Sequence, residues 1–302
     1  MMLTKVEGGI FVQEPRFVKD YKHDDVLRKS FSELAHRTFE ISFEEWYQKG
    51  FWNERFIPYS FAQGDQVVAN VSVNLLDLVI DGDKKSAIQI GTVMTHPDYR
   101  GQGLSTSLMN KVLEDYENQY DVMYLFANDS VLDFYPKFGF KAIEEHLFTM
   151  DFTPREIEPT RIRKLNVSRA EDLHLIYQFE SERLPVSKRL GTDHTRGIFM
   201  FYGLNVFRED MYYLEEENVI VVYKKENHHM DVFDMVHTQE IHTQNILTKI
   251  AGRDTKKITF HYTPDDPDLV LNKASYPGGL FVRTNGDHHY PVHVKHPMTS
   301  TA

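Results

Sequence analysis

The stretch from Thr92 to Ser105 constrains the fold most, because it passes from a strand through a tight loop into a helix with almost no spare residues. The residues up to Thr95 are apolar or β-branched, and Pro97 and Asp98 indicate a turn. Beyond the loop, apolar residues recur at helical spacing, at Leu104, Leu108, Val112 and Tyr116. A helix is therefore predicted to begin directly after the loop, where its first N–H groups have no intrahelical partner.

This predicted helix start has the properties of an anion site. The aligned peptide dipoles place partial positive charge there, so a phosphate can bind. Gly101 and Gly103 lack a Cβ, which permits positive φ and lets successive N–H groups point towards one anion. A glycine-rich turn is also common where only the backbone geometry requires glycine, so the loop alone leaves both interpretations open.

A second motif lies farther along the chain. Asn128 begins a segment that continues as Phe134-Tyr135-Pro136-Lys137-Phe138-Gly139-Phe140. Together, and in this order, the two motifs resemble those of the GNAT superfamily of acyl-CoA-dependent N-acetyltransferases. The family's pyrophosphate loop, Arg/Gln-x-x-Gly-x-Gly/Ala, reads here Arg100-Gly101-Gln102-Gly103-Leu104-Ser105. Ser105 departs from the usual glycine or alanine and adds a hydroxyl group.

The resemblance implies acetyl-CoA as cosubstrate and assigns roles to individual residues. The backbone of Val93, Met94 and Thr95 would pair with the pantetheine arm, and the Val93 N–H would polarise the thioester carbonyl. Asn128 would contact the arm, and Tyr135 would protonate the departing thiolate, unless its phenol is only a packed aromatic. The pyrophosphate would lie on the loop formed by Arg100, Gly101, Gln102, Gly103, Leu104 and Ser105.

The general base stays unassigned. Many family members carry a glutamate on the strand before the loop, but here Gln89, Ile90 and Gly91 occupy that region and no carboxylate lies between Lys85 and Pro97. A water chain, His96 or a carboxylate from elsewhere is left as an alternative.

Aromatic residues are concentrated between Phe51 and Phe61, a region that flanks the acceptor site in the family. Trp52 and Tyr59 are the candidates for contacting a cationic acceptor through their ring faces. Residues 1–150 contain 15 Lys and Arg against 23 Asp and Glu, a net charge of −8. The acidity favours a cationic acceptor. The alternatives are that the aromatics close the core and that the acidity serves solubility.

Composition excludes several functions. The net charge of −11 argues against nucleic acid as a partner. No apolar run approaches the ~20 residues that span a bilayer, and the N-terminus lacks the apolar core of a secretory signal, so a cytoplasmic protein without a membrane partner is expected. The absence of cysteine excludes thiolate metal sites and a cysteine acyl-enzyme. Acetyl transfer is therefore expected to be direct.

The order of elements predicted for residues 1–152 recurs in residues 161–302 as β-α-β-β-β-α-β. We therefore predict an α/β fold: a GNAT-like mixed sheet flanked by helices in residues 1–152, a linker at 153–160, and a second, degenerate GNAT-like domain at 161–302 with a mobile tail after Tyr290. The second half has only His237-Thr238 where the first has its glycine loop, so no second cofactor site is expected. Its histidines are predicted to be scattered and solvated, without a metal.

The predicted function is acetyl-CoA-dependent N-acetylation of a small, possibly cationic amine through a ternary complex. The alternative is a non-catalytic acyl-CoA-binding sensor or scaffold, which the missing strand carboxylate favours. The sequence indicates no oligomeric state.

Overall fold

The computed structural model describes residues 3–5, 11–153 and 160–302. It is a mixed α/β structure with six α-helices and several short 3₁₀ turns among the described residues. The α-helices are α1 (Asp25–Phe39), α2 (Glu44–Gln48), α3 (Leu104–Asp115), α4 (Ala170–Glu182), α5 (Arg196–Asn205) and α6 (Thr243–Ile250). The strands are β1 (Leu3–Lys5), β2 (Phe11–Gln13), β3 (Arg16–Lys19), β4 (Phe56–Gln63), β5 (Gln66–Ile80), β6 (Asp83–Thr95), β7 (Val122–Phe126), β8 (Lys141–Ala142), β9 (Glu145–Asp151), β10 (Ile162–Lys164), β11 (Leu190–Asp193), β12 (Met211–Leu214), β13 (Val219–Glu226), β14 (His229–His237), β15 (Lys257–Phe260), β16 (Asn272–Tyr276) and β17 (Leu280–Thr284).

The chain divides into two compact units. The described residues up to Leu75, together with Gln89–Gln119 and Ala302, form the first unit. Leu76–Ile88 and the described residues of Tyr120–Thr301 form the second. Strands β5 and β6 contribute residues to both.

In the first unit, β3, β4 and β5 pair in antiparallel fashion, and β6 follows β5 in the sheet order. The N-cap of helix α1 is Asp24, whose side chain accepts the N–H groups of Val26 and Leu27 at 3.0 and 3.1 Å. Helix α3 has the predicted apolar face, since the side chains of Leu108, Met109 and Val112 are completely buried. Packing of this face fixes the direction in which the loop before α3 enters the helix.

In the second unit, strands from the two halves of the sequence alternate. Strand β9, from the first half, lies between β15 and β16. Strand β17, from the second half, lies between β7 and β8. The compact units therefore differ from the predicted domain ranges, which stay a prediction, and most of the predicted linker (154–159) lies outside the described residues.

The second half contains the predicted order of elements. Strand β10, helix α4, strands β12, β13 and β14, helix α6 and strand β15 occur in that sequence, and β14 pairs in parallel with β15 across α6. Strand β11 and helix α5 were not predicted. The α5 segment carries Gly197 and Gly203, and glycine lowers helix propensity.

The residues after Tyr290, predicted to be a mobile tail, are mostly buried in the second unit. Val294 and His296 are completely buried, and Lys295 forms a buried ion pair with Glu145 at 2.9 Å. Burial lowers the pKa of the His296 imidazole to about 3, so this side chain is neutral rather than solvated and charged. The prediction of solvated histidines is wrong for His296.

Among the described residues, no helix combines the length and the apolar character that crossing a bilayer requires.

The second unit buries a cluster of charges in which two carboxylates share one guanidinium. Arg183 donates to Glu180 at 2.9 Å and to both oxygens of Asp234 at 2.7 and 3.0 Å. Thr299 also donates to Asp234. Burial raises the pKa of the Glu180 carboxyl to about 7, since it removes the charged form from water, and the negative charge of Asp234 adds to this rise.

Glu180→Gln is expected to gain stability relative to the unchanged protein as pH rises. A carboxyl whose pKa is raised in the folded state stabilises it at low pH, and this contribution is lost between about pH 4.5 and pH 7. The glutamine has no such loss. The melting temperatures of the variant and of the unchanged protein, measured from pH 5 to pH 8, should diverge by roughly 2–4 °C for each kcal/mol of difference in their free energies of unfolding. Exposed Glu182→Gln is the control, and a pH-independent difference for Glu180→Gln would contradict the prediction.

Candidate active site

The predicted anion loop has the expected backbone geometry. Gly101 and Gly103 have φ of +75° and +77°, a region that favours glycine. Gly103 is the N-cap of α3, and no side chain caps the helix. Among the described residues, the backbone N–H groups from Gly101 to Thr106 have no hydrogen-bond partner. Six consecutive N–H groups at a helix N-terminus are therefore available to an anion.

Side chains tie this loop to the strand before it. The hydroxyl groups of Thr95 and Ser105 lie 2.7 Å apart and share a hydrogen bond. Arg100 Nε donates to the Thr95 carbonyl at 3.4 Å, and the Gln102 amide donates to the Asp98 carbonyl at 3.3 Å. The hydroxyl by which Ser105 departs from the family pattern thus joins the end of β6 to the first turn of α3.

A chain of buried hydrogen bonds holds the strand just before the loop. Thr92 has a φ of +48°, which is strained for a β-branched residue. The Asn70 amide donates to the Thr92 carbonyl at 2.8 Å and to the Ser72 hydroxyl at 2.9 Å. The Ser60 hydroxyl donates to the Asn70 oxygen at 2.8 Å, so Ser60 must accept from the Tyr21 hydroxyl at 2.6 Å. This network fixes the backbone from which the Val93 N–H projects.

The strand region in which many family members carry a glutamate presents an unusual amide. Gln89 is completely buried, and neither its side-chain oxygen nor its nitrogen has a partner among the described residues. Two residues later, a Cβ at Gly91 would lie 3.1 Å from the backbone carbon of Ala302. Glycine at this position therefore allows the close approach of Ala302. Because buried amides are rarely left without hydrogen bonds, a functional role or a bound molecule such as water is the expected reason for this one.

His96 was one of the alternatives for the general base. Its Nε2 lies 2.8 Å from Arg37 Nη1. A guanidinium can only donate, so Nε2 accepts this hydrogen bond. With its lone pair occupied, this nitrogen is not free to take a proton from an amine. The geometry therefore disfavours His96 as base.

Trp52 and Tyr59 were predicted to face the acceptor, and their placement corrects that prediction. Trp52 is 4% exposed, its indole N–H donates to the Phe56 carbonyl at 3.2 Å, and its ring packs in an aromatic cluster. Tyr59 is completely buried, its hydroxyl donates to Asp115 at 2.8 Å, and Lys19 Nζ lies 4.5 Å from its ring centroid. The interpretation that these aromatics close the core agrees with the structure, because neither ring face is open.

Asn128 and Tyr135 lie in the second unit. Asn128 is exposed and is the N-cap of a 3₁₀ turn without a side-chain capping bond, so its amide is available to a ligand. Tyr135 is 4% exposed, and its ring contacts those of Phe134, Phe140 and Phe281. Its hydroxyl has no hydrogen-bond partner among the described residues. Burial raises the pKa of the Tyr135 phenol to about 12, so the phenol keeps its proton at physiological pH.

Sequence reasoning missed Asn70 and did not anticipate the isolation of the Gln89 amide. A signal for Asn70 was present: it follows Val67-Val68-Ala69 and precedes Val71, and an asparagine buried within such an apolar run must find hydrogen-bond partners.

Comparison with known proteins agrees with this geometry. Residues 20–143 match the model of the acetyltransferase (GNAT) domain. This range contains the loop, strand β6 before it, Asn128 and Tyr135. Similar solved structures extend the likeness in fold to 90% of the chain.

A probable N-acyltransferase from Enterococcus faecalis V583 is 16% identical, with a TM-score of 0.63, and the match covers 72% of that chain. A GCN5-related N-acetyltransferase from Kribbella flavida is 19% identical, with a TM-score of 0.52 and 71% of its chain covered. Eis1 from Mycobacterium abscessus is 13% identical, with a TM-score of 0.56 and 74% covered. Each match covers 90% of the present chain, so the fold of both halves has counterparts among these proteins. Residues 20–143 therefore match a GNAT acetyltransferase domain, and the chain shares the fold of GNAT-type N-acetyltransferases.

Proposed function

We propose that the segment from Val93 to Ser105 binds acetyl-CoA and that the acetyl group passes directly to an amine. The observation that carries the proposal is the row of six unpaired N–H groups from Gly101 to Thr106. The pyrophosphate supplies the acceptor oxygens that these donors lack. Arg100 adds positive charge beside them. The backbone of Val93, Met94 and Thr95 runs on from the loop and pairs with the pantetheine arm, which Asn128 also contacts.

The reaction is a nucleophilic substitution at the thioester carbonyl. The neutral amine attacks the carbonyl carbon, the C–N bond forms, and the oxygen gains negative charge that the Val93 N–H stabilises. The C–S bond then breaks and the thiolate takes a proton from Tyr135. The amine nitrogen loses its extra proton to a base. Because the chain has no cysteine, no thioester to the protein precedes the transfer.

The environment of Tyr135 supports its role as the acid. A phenol with a pKa of about 12 remains protonated over the working pH range. Its hydroxyl is not engaged with another described residue, so the proton is free to move to sulfur.

Gln89 supports a water-mediated route for the proton that leaves the amine. Its amide can donate two hydrogen bonds and accept two, and no described side chain meets them. An ordered water bound there would link the buried strand to the acceptor nitrogen. His96 does not compete, because Arg37 occupies its Nε2.

The acceptor is a small amine, and a cation is favoured. With Trp52 and Tyr59 buried, this preference rests on the net charge of −8 in residues 1–150. Attraction between charges is screened over about 8 Å at physiological ionic strength, so the acceptor KM should rise with added salt. A KM independent of salt would leave the acidity as a solubility feature.

Initial-rate kinetics test direct transfer. With acetyl-CoA and an acceptor both varied, a ternary complex gives intersecting double-reciprocal lines. Parallel lines together with an acetylated protein isolated in the absence of acceptor would refute the proposal. The assay detects the released CoA thiol.

Gly103→Val is expected to weaken CoA binding by about tenfold or more, equal to about 1.4 kcal/mol. The backbone at φ +77° strains a β-branched residue and turns N–H groups away from the phosphate. Gly64→Val is the matched control, because Gly64 also has a positive φ (+60°) and open space at its Cβ. Both variants should lose roughly 1–2 kcal/mol of stability. If calorimetry gave equal CoA affinities for Gly103→Val and Gly64→Val, the loop would not be part of the CoA site.

Tyr135→Phe should retain CoA affinity and lower kcat by about 10²-fold, the usual size of an acid contribution. Tyr276→Phe removes a phenol hydroxyl from the same unit and should leave kcat unchanged. If Tyr135→Phe stays within about twofold of the original kcat, the residue serves packing alone.

Gln89→Met should lower kcat, because methionine of similar shape cannot hold the water proposed to link the strand to the acceptor nitrogen. Gln63→Met is the control, since Gln63 also has a buried side-chain oxygen without a partner and should keep its kcat. Thermal unfolding verifies that both variants are folded. An unchanged kcat in folded Gln89→Met would exclude the functional role.

A further inference from the structure

A cavity of about 360 Å³ lies within the second unit, apart from the residues assigned above to acetyl transfer. It is formed at the end of β14 by the loops around residues 185–188, 240–243 and 265–268. Its apolar wall includes Met235 and Tyr262, which belong to the hydrophobic core of this unit. The volume is at the lower end of the range of small-molecule sites.

Two buried polar side chains line this cavity without a complete set of hydrogen bonds. Tyr262 is 2% exposed, and its hydroxyl has no partner among the described residues. His237 is 7% exposed, and its Nδ1 lies 2.7 Å from the Gln239 carbonyl. A carbonyl only accepts, so Nδ1 carries the proton, and in the neutral ring Nε2 is an unpaired acceptor. Burial lowers the pKa of His237, which keeps the ring neutral.

The remaining polar lining is acidic. The lining contains the carboxylates of Glu240, Asp265, Asp266 and Asp268 against one ammonium, Lys188, which pairs with Glu240 at 2.8 Å. Asp266 accepts the N–H groups of Thr243 and Asp268, so it supports the loops. Asp265 accepts the Lys188 N–H through Oδ2, which leaves Oδ1 free. Free acceptors and a negative charge therefore face a cavity with an apolar wall.

We propose that this cavity binds a small organic ammonium ion, with the charged nitrogen at Asp265 and His237 and the apolar part against Met235 and Tyr262. An ammonium supplies N–H donors to the free acceptors and neutralises part of the charge. The apolar wall removes the hydrocarbon portion from water. An anion is disfavoured by the carboxylates.

A bare metal ion is also disfavoured. Within the described part of the chain, the side chains that converge closely enough to share an ion are Asp77, Asp193 and His194, none of which lines the cavity. The carboxylates that line the cavity form no such converging group among the described residues, which suits an organic cation better than a single metal ion.

A matched pair of probes tests the proposal in the full chain without acetyl-CoA. Phenethylammonium and 2-phenylethanol have the same shape and differ in charge. By calorimetry, the ammonium should bind at least about tenfold more tightly than the alcohol. Asp265→Asn should reduce that ratio to below about threefold, whereas Asp287→Asn, an exposed acid outside the cavity, should leave it unchanged.

The proposal would be overturned by equal affinities for the two probes, or by no binding of either probe at about 20 mM. It would also be overturned if Asp265→Asn left the ratio of the two affinities unchanged. A thermal melt of Asp265→Asn verifies that the variant is folded. Because the assay contains no acetyl-CoA, its outcome is independent of whether the protein transfers acetyl groups.

Discussion

The hydrogen bond from the Asn70 amide to the Thr92 carbonyl is the constraint on which the active-site backbone depends. A β-branched residue at φ +48° is unfavourable by about 1–3 kcal/mol unless its surroundings hold it. Here the holding group is completely buried and is itself oriented by Ser60 and Tyr21. Burial raises the pKa of the Tyr21 phenol, so the first donor of this chain does not ionise. The direction of the Val93 N–H, and with it the proposed oxyanion contact, follows from this buried network.

The helix that follows is built to leave its first N–H groups open. A serine, threonine or aspartate at the N-cap would accept one or two of them and stabilise the helix by about 1 kcal/mol. Gly103 occupies that position instead and has no side-chain acceptor. The missing stabilisation is partly replaced by the hydroxyl pair of Thr95 and Ser105, which attaches the first turn to the strand without using the backbone donors. The first turn of α3 is therefore less stable than a capped one, but its N–H groups can bind an anion.

Local features could be predicted from the sequence because they depend on neighbouring residues. The Asp24 cap, the positive φ of Gly101 and Gly103, and the apolar face of α3 all follow from spacing and from side-chain chemistry. Local pattern also misleads: Ser42 and Ser168, each followed three residues later by a glutamate, have the pattern of a capping box, but the N-caps of α2 and α4 are Phe43 and Arg169, without side-chain capping bonds.

Features that depend on distant residues were not predictable in this way. The pairing of β9 with β15 and of β17 with β7 joins segments far apart in the chain, and an apolar strand does not reveal its partner. The burial of Trp52 and Tyr59 depends likewise on which elements pack over them. Backbone hydrogen exchange, measured with and without CoA, shows whether the loop binds the pyrophosphate. If it does, CoA slows exchange of the N–H groups from Gly101 to Thr106, which are unpaired in the free protein, and leaves the hairpin turn at Gly64 unchanged. Saturating CoA, verified by calorimetry, that leaves exchange in this loop unaltered would contradict it.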